Sequence, residues 1–305
     1  MTTIHDAKRL PGPPGSTNLL AAPIERGGAP RSVGPFCVVV HLSMPASAPF
    51  GLPVDADVRP HPHIGLAAVS YVLDGAITHR DSLGNRCELR AGDLGSTVSG
   101  RGVVHSERFE RQRLLGGGLE MFQLLLALPD GYEDVEPSFF RRTRDEHRTS
   151  SAGGATVRWL FPSPPESPSG MPFATSILLA DVALDASARW SLPEAPERAI
   201  YVREGEVEVG DTRVRAGQCA VVDQGQGSLC GIASSPSRLL VFGGAGVGPR
   251  YLWWNYLHSS LERIEAARAE WRSGRVKLPD GDTESFTPSP VDDGRPLVRL
   301  NPRDD

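Results

Sequence analysis

The amino-acid sequence predicts an all-β protein in which two barrels follow one another along the chain and one helix follows the second barrel. Short apolar or alternating runs recur about every ten residues between Gly- and Pro-containing turns, a pattern typical of sandwiches and barrels. The chain has 33 Gly and 27 Pro in 305 residues, which fits many turns better than long helices. An internal repeat supplies the second barrel.

The repeat joins two segments of the chain. The sequence YVLDG at 71–75 is matched by YVREG at 201–205, and RAGD at 90–93 is matched by RAGQ at 215–218. Two copies of one supersecondary pattern imply two barrels of the same architecture. The alternative is a chance similarity of two hairpins.

In order, the chain divides into four predicted regions. Residues 1–33 are rich in Pro, Gly and Ser and predict an extended N-terminal arm. Residues 34–150 predict a first, metal-binding barrel, and residues 151–250 a second barrel without metal ligands. Residues 251–305 predict a C-terminal helix and tail.

Several strands of the first barrel are individually predicted. Segments 35–45 and 117–129 are strongly apolar and predict long strands. Two alternating runs at 69–73 and 76–79 flank Asp74-Gly75, a tight-turn signal that predicts a hairpin.

The C-terminal helix is predicted by apolar residues at 257, 261, 264, 267 and 271, in steps of three and four. Ser259 or Ser260 can cap its start, and Gly274 can end it.

Composition and charge exclude several function classes. The net charge of −5 and pI near 5.9 predict no direct nucleic-acid binding. No apolar run reaches the roughly 18 residues that a membrane span needs, and the N-terminus lacks an apolar signal core. Cys37, Cys87, Cys219 and Cys230 show no CxxC spacing. We therefore expect a reduced, cytoplasmic protein.

Two matching pairs of residues predict a metal site. His61 and His63 lie in HPHIGL, and His105 and Glu107 lie in GRGVVHSER. Side chains two residues apart on a strand leave the same face, so each pair can direct two ligands to one point. Three imidazoles and one carboxylate suit a divalent first-row transition metal with positions left open for a substrate.

The alternative is that these histidines are scattered surface or core residues, which is the commoner role of a lone histidine on a strand. The chain has eight histidines, and none lies between His147 and His258. The second barrel therefore cannot build a second histidine site.

At this point the sequence resembles the pirin family of the cupin superfamily, in particular bacterial pirin-like proteins. The similar segments are HPHIGLAAVSYVLDGAITHRDSLGN (61–85), RAGDL (90–94), SGRGVVHSER (99–108) and YLWWNYLHSSLERIEAARAEWRSGRV (251–276). The resemblance implies two tandem cupin barrels, of the RmlC-like jelly-roll type. It also implies one metal in the first barrel, held by His61, His63, His105 and Glu107.

One departure from the wider cupin pattern affects the ligand set. The usual first cupin motif carries a Glu four or five residues after HxH, where this chain has Ala67 and Ala68. The carboxylate ligand would therefore come from Glu107. The resemblance implies Fe(II) as the metal, with Cu, Ni, Mn or Co as alternatives.

The resemblance leaves three functions open. The first is a dioxygenase of the quercetin 2,3-dioxygenase type, an oxidoreductase acting on a flavonol or a related enol or phenol, with Glu107 as general base. The second is a non-catalytic iron protein that regulates transcription or senses stress through an unidentified protein partner. The third is a cupin enzyme acting on another small metabolite.

Three further residues are weaker candidates. His79 and Asp81 are expected to form a surface pair in a hairpin, with support of a metal ligand as the alternative. His41 is expected either to line the pocket or to pack.

Overall fold

The computed structural model describes residues 2–13, 15–46, 51–161, 175–222, 230–282, 286–288 and 297–302, and almost all of its regular structure is β-strand. The strands up to residue 142 are β1 (Thr2–Asp6), β2 (Lys8–Leu10), β3 (Thr17–Ala22), β4 (Ile24–Arg26), β5 (Ala29–Arg31), β6 (Phe36–Met44), β7 (Val58–His63), β8 (Leu66–Asp74), β9 (Ala76–Asp81), β10 (Arg86–Arg90), β11 (Leu94–Val98), β12 (Val103–Arg108), β13 (Leu119–Ala127) and β14 (Ser138–Arg142). The later strands are β15 (Arg148–Ala152), β16 (Ala155–Phe161), β17 (Ile177–Leu184), β18 (Arg189–Ser191), β19 (Glu197–Glu204), β20 (Glu206–Val209), β21 (Thr212–Arg215), β22 (Gln218–Val222), β23 (Cys230–Ala233), β24 (Ser237–Gly244), β25 (Arg250–Trp253), β26 (Tyr256–His258) and β27 (Val298–Leu300). The described helices are α1 (Glu110–Leu115), α2 (Leu261–Arg272) and the short 3-10 turns Val54–Ala56 and Arg144–Glu146. The predicted all-β class is confirmed.

The first barrel consists of two antiparallel sheets. A seven-stranded sheet has the order β14-β11-β8-β13-β6-β3-β2, and a four-stranded sheet has the order β10-β9-β12-β7. The second barrel repeats this plan with β1-β22-β19-β24-β17-β16-β15 and β18-β23-β20-β21. Its interior is filled by an apolar cluster that includes Val182, Trp190 and Val207. The two copies predicted from the repeat are thus two barrels of one architecture.

The two seven-stranded sheets pack against each other. Along β13, Phe122, Leu124 and Leu126 join a buried cluster with residues of the second barrel such as Leu179 and Phe242. The intervening residues of β13 face the interior of the first barrel instead, because side chains alternate along a strand. Both faces of β13 are therefore largely buried, which explains why its sequence is mostly apolar.

The two strands predicted on either side of Asp74-Gly75 are present, but they do not pair with each other as a hairpin. β8 pairs with β11 and β13, whereas β9 pairs with β10 and β12. The chain therefore crosses from one sheet of the barrel to the other at Gly75. Gly75 has φ +81°, and a Cβ there would lie 2.5 Å from the carbonyl oxygen of Gly118. Gly205, with φ +79°, marks the same crossing in the second barrel.

The first 33 residues, for which the sequence predicts an extended arm, contain five strands that contact both barrels. β1 pairs with β22 of the second barrel, whereas β3 pairs with β6 of the first. The predicted boundary at residue 150 falls inside β15, which belongs to the sheet of the second barrel.

The predicted C-terminal helix is α2. The Ser260 side chain accepts a hydrogen bond from the backbone N–H of Arg263 (3.2 Å), an N-cap interaction typically worth about 1 kcal/mol. Ile264, Ala267 and Trp271 are its buried residues. Within the described ranges, no helix is long and apolar enough to cross a membrane.

Candidate metal centre

Two adjacent strands of the four-stranded sheet bring the three predicted histidines together. β7 and β12 are antiparallel, and His61 lies directly opposite His105 in their register. His61 and His63 are two residues apart on β7, so their side chains leave the same face of the sheet. This face points into the first barrel, where all three residues are buried.

The imidazole nitrogens converge closely. The Nε2 atom of His105 lies 2.9 Å from Nε2 of His63 and 2.9 Å from Nε2 of His61. Among the residues that the structure describes, these three histidines are the single group of His, Cys, Asp or Glu with ligand atoms close enough to share one metal ion.

Backbone carbonyls orient two of the rings. The Nδ1–H of His61 donates to the carbonyl of Arg59 (2.9 Å), and the Nδ1–H of His63 donates to the carbonyl of Asn255 (3.0 Å). A neutral imidazole that donates from Nδ1 has its lone pair on Nε2. Backbone acceptors of this kind commonly fix the tautomer of metal-binding histidines. Nε2 of both residues is therefore prepared to act as a ligand atom.

Burial keeps the three imidazoles neutral. Burial lowers the pKa of His61, the Arg59 carbonyl opposes this effect and the nearby His79 adds to it, so that the resulting pKa is about 4. Burial, followed by the neighbouring imidazoles, holds the pKa values of His63 and His105 well below the usual range. Neutral imidazole is the form that binds a metal.

Glu107 lies beside the three histidines. Its Oε1 is 3.5 Å from Nε2 of His105, and its Oε2 is buried without a hydrogen-bond partner within the described part of the chain. Burial raises the pKa of this carboxyl to about 8, against a lowering effect of Arg108. An unpartnered buried carboxylate is costly unless a cation or proton compensates it.

These residues fit a divalent metal ion. Two ligand nitrogens at about 2.0–2.1 Å from one metal and at right angles to each other are about 2.9 Å apart, which matches the separations of His105 Nε2 from the other two Nε2 atoms. Glu107 lies outside this group of three, but its Oε1 is 3.5 Å from His105 Nε2, so its carboxyl group is the candidate for a fourth donor. Three nitrogens and one oxygen on one side of an ion leave its other positions open.

A cavity of about 250 Å³ opens from the candidate metal centre. His61, His63 and Glu107 form part of its wall. The rest of the wall is mostly apolar and comes from β6, β13, the start of β7, the residue after β12 and the segment after β25; its residues are Val38, Val40, Leu42, Val58, Phe109, Met121, Gln123, Leu125, Trp254 and Asn255. We call this space the apolar pocket. It can take a ring-shaped, weakly polar molecule next to the three histidines.

The sequence alone missed parts of this pocket. Gln123 is a polar residue in a mostly apolar strand, which marks it as a candidate pocket residue. Whether its side chain faces the pocket depends on the register of β13. Asn255 and Trp254 come from a segment far along the chain whose position only the packing of α2 defines.

The expectation that His79 and Asp81 form a surface pair is wrong. Both are buried, and His79 Nε2 lies 3.0 Å from Asp81 Oδ2. The ring of His79 stacks on Phe139 at 4.2 Å and lies 5.4 Å from the ring of His105. β9 is an inner strand of its sheet, and Glu107 is the register partner of His79 on β12. The pair therefore supports the strand that carries the site.

The outer face of β12 is held by the C-terminal tail. Asp282 accepts hydrogen bonds from the Ser106 hydroxyl and from the guanidinium of Arg108. These residues alternate with His105 and Glu107, so their contacts lie on the opposite side of the strand. The tail thus fixes β12, which carries His105 and Glu107, through the face of the strand opposite these side chains.

His41 is remote from the candidate metal centre. Its Nδ1 lies 3.1 Å from the Tyr201 hydroxyl, and its Nε2 lies 2.8 Å from Glu120 Oε1. It therefore joins the two barrels rather than lining the pocket.

Known protein families match both halves of the chain. The sequence profile of the Pirin family matches residues 20–126, and the profile of the Pirin C-terminal cupin domain matches residues 179–277. A "Pirin-like protein" of Caulobacter vibrioides is 38% identical over 264 residues, which cover 86% of this chain and 91% of the relative.

Solved structures share the fold. A quercetin 2,3-dioxygenase from Acinetobacter baumannii superimposes with a TM-score of 0.78 at 22% identity, covering 94% of this chain and 93% of that chain. The bacterial pirin YhhW from Escherichia coli, solved in complex with nickel(II), superimposes with a TM-score of 0.59 at 18% identity, covering 81% of this chain and 100% of that chain.

Proposed function

The chain belongs to the pirin family, and we propose that it is a metal-dependent oxygenase of the quercetin 2,3-dioxygenase type. Its substrate is a flavonol or a related enol or phenol. One observation carries the proposal: three buried imidazoles converge on one point, and two of them, His61 and His63, face a cavity of about 250 Å³ together with Glu107, while the other walls are mostly apolar. A structural neighbour that bears this activity in its name supports the choice of reaction.

We propose that His61, His63, His105 and Glu107 bind one divalent metal, Fe(II). When bound, such a metal supplies a Lewis acid with open positions for a substrate oxygen, together with redox chemistry toward O2. Copper, nickel, manganese and cobalt are the alternatives that the same donor set can hold, and the nickel complex of the Escherichia coli relative supports the breadth of this range.

The apolar pocket holds the substrate ring and excludes water. Val40 and Leu125 lie close together in its wall, on the neighbouring strands β6 and β13. Gln123 is the polar exception: its Oε1 accepts the Ser70 hydroxyl (2.8 Å), so its amide N–H groups are free to donate to a substrate carbonyl. A flat molecule with a few oxygens on one edge fits these groups better than a sugar or a nucleotide.

Glu107 accepts the proton of the substrate hydroxyl. Glu107 lines the apolar pocket, and its Oε2 has no hydrogen-bond partner among the described residues, so no protein donor competes for this carboxyl group. The transfer leaves an electron-rich enolate or phenolate, which is the form that reacts with O2. General bases placed in this way typically contribute 10²–10⁴-fold to the rate.

Turnover of quercetin tests the proposal. Protein loaded anaerobically with Fe(II) and then mixed with quercetin in air is expected to remove the flavonol absorbance catalytically, with one O2 consumed per flavonol. Glu107→Gln is expected to reduce kcat at least 100-fold, while circular dichroism shows an unchanged fold.

A matched control is Glu136→Gln, because Glu136 is exposed and pairs only with Arg101 on the surface among the described contacts. This variant should retain full turnover. No turnover of flavonols with any first-row metal would overturn the assignment and favour another cupin reaction or a non-catalytic role. Full activity of Glu107→Gln would remove Glu107 from the mechanism.

A further inference from the structure

A second cavity, of about 290 Å³, lies between the two barrels and away from the candidate metal centre. Four arginines contribute to its wall, and two of them, Arg158 and Arg203, are half-buried. The remaining wall residues are mainly small or hydroxyl-bearing, and they include Tyr71, Gly92, Thr156 and Ala183. We call this space the arginine cleft.

The register of the second barrel builds the floor of the cleft. Ala183 on β17 lies between its partners Thr156 on β16 and Arg238 on β24. Arg158 lies two residues after Thr156 on β16, opposite Asp181. Directly paired residues share a face of a sheet, and β16 and β24 are about 10 Å apart across β17. The small side chain of Ala183 therefore leaves a depression with an arginine on either side.

The first barrel contributes a third arginine, Arg144, to the wall of the cleft. The stem of Arg144 packs on Gly92, where a Cβ would lie 2.7 Å from its Cγ. The backbone N–H of Arg144 donates to Asp93 Oδ1 (3.0 Å). Both contacts fix the position of Arg144, yet its guanidinium has no ion-pair partner in the described part of the chain.

The charge of the cleft is only partly compensated. Asp181 is its one acidic wall residue, and it already accepts hydrogen bonds from the Tyr71 hydroxyl (2.7 Å) and from Arg158 (3.3 Å). Arg203 is paired with Glu120 and Glu204.

Two guanidinium groups in the cleft remain available. No described ion pair involves Arg238, and the guanidinium of Arg144 is likewise unpaired. The Nε of Arg158 is buried without a hydrogen-bond partner among the described residues. A cation without a counter-ion favours the binding of an anion, and the two unpaired guanidiniums leave the cleft with uncompensated positive charge.

We propose that the arginine cleft binds a small phosphate-bearing anion. Guanidinium groups form paired, charge-assisted hydrogen bonds with phosphate oxygens. Arg144, Arg158 and Arg238 approach from three different elements, which suits the several directions of the oxygens of a tetrahedral phosphate better than the plane of one carboxylate. The volume exceeds that of one phosphate and leaves room for a small organic group. This site is independent of the proposed oxygenase reaction.

Calorimetric titration tests the cleft. The purified full-length protein is titrated with inorganic phosphate and with pyrophosphate at constant ionic strength in chloride buffer. Saturable binding at one site per chain is expected. The double variant Arg144→Gln/Arg238→Gln removes two exposed guanidiniums without described ion pairs, and at least tenfold weaker binding is expected.

The matched control is Arg213→Gln/Arg215→Gln, which removes two exposed arginines of β21 that pair with Glu206 outside the cleft. It should bind pyrophosphate as the wild type does. Three results would overturn the proposal: no saturable binding, equal binding by the Arg144/Arg238 variant, or tighter binding of malonate than of either phosphate. Equal binding by that variant would also result if phosphate bound at the metal centre instead.

Discussion

His63 and His105 are 42 residues apart in the chain, yet their Nε2 atoms lie 2.9 Å apart. The Nδ1–H of His63 is committed to the carbonyl of Asn255, so its Nε2 carries a lone pair. Two ring nitrogens at this distance need a proton or a cation between them. The fold therefore holds the two rings in an arrangement that a metal ion stabilises.

Metal removal is expected to destabilise the protein. A ligand present at 1,000 times its Kd adds about 4 kcal/mol to the free energy of unfolding. Chelation of the metal-loaded protein should therefore lower Tm by several degrees, as measured by calorimetry. His63→Ala should melt at the same temperature with and without chelator, whereas His5→Ala, on β1 of the second barrel, should respond as the wild type does. A chelator effect of equal size in His63→Ala would contradict a role of this residue in metal binding.

Asp81→Ala is expected to lower the free energy of unfolding by about 2–4 kcal/mol. Its Oδ1 accepts the backbone N–H groups of Leu83 (2.9 Å) and Asn85 (3.0 Å), and its Oδ2 bonds to His79. Removing the carboxylate leaves these donors without a partner, at about 1–3 kcal/mol for each one that stays buried. Chemical denaturation measures the loss.

Arg86→Ala is the matched control for Asp81→Ala, because its side chain is 67% exposed and lies on the same hairpin. Its effect should stay within about 0.5 kcal/mol. A similar loss in both variants would show that the hairpin is generally fragile and that the Asp81 contacts have no special weight.

The convergence of the three candidate histidine ligands was predictable because it depends on local spacing. Residues i and i+2 share a face on any strand, so His61 with His63, and His105 with Glu107, form pairs without knowledge of the fold. That the two pairs meet required only that their strands be neighbours in one barrel. The resemblance to pirins supplied the same four residues.

Pairing between strands was harder to predict. Asp74-Gly75 has the composition of a hairpin turn, and sequence does not distinguish a turn within a sheet from a crossing between two sheets. This difference affects the candidate metal centre, because β9 is an inner strand of the four-stranded sheet and His79 and Asp81 are therefore buried. Likewise, Asn255 and Asp282 contact the site through packing of the C-terminal segment, and no local pattern encodes such long-range contacts.

Arg250→Met is expected to be strongly destabilising, by about 3–5 kcal/mol. Arg250 is buried, and its guanidinium donates to the Leu128 carbonyl (3.0 Å) and pairs with Glu133 (3.1 Å). The substitution conserves volume but leaves the buried Glu133 carboxylate without its cation. The double variant Arg250→Met/Glu133→Gln should recover part of the loss in urea denaturation. No recovery would mean that packing, not the charge of Glu133, sets the cost.

The stability of the protein should decrease in mild acid through His147. Burial, then the charges of Arg142 and Arg158, lowers the pKa of His147 to about 4, compared with about 6.5 in an unfolded chain. Asp93 and a backbone carbonyl at Gly92 oppose this shift, and Tyr71 contacts the ring edge-on. Between pH 6.5 and 4 the unfolded state binds more protons at this residue, so the free energy of unfolding falls as the pH falls.

His147→Gln removes this titration. The difference in unfolding free energy between pH 7 and pH 4.5 should be smaller in the variant by on the order of 1 kcal/mol, after allowance for solvent screening. The other buried histidines titrate in both proteins and cancel in the comparison. Identical pH profiles of denaturation midpoints would show that His147 ionises equally in the folded and unfolded states.

Val40→Phe is expected to weaken substrate binding without removing the metal. Val40 lies on β6 in the wall of the apolar pocket, and a phenyl group there occupies part of a cavity of only about 250 Å³. Overfilling a packed space typically costs about 1–3 kcal/mol, and about 1.4 kcal/mol corresponds to a tenfold change in affinity. We expect KM for the flavonol to rise about tenfold or more while the metal content, measured by elemental analysis, stays the same.

Val157→Phe makes the same change at a half-buried site on β16 of the second barrel and should leave KM unaltered. An unchanged KM in Val40→Phe would place the substrate outside the apolar pocket, and a loss of metal would show that the wall of the pocket also positions the ligands.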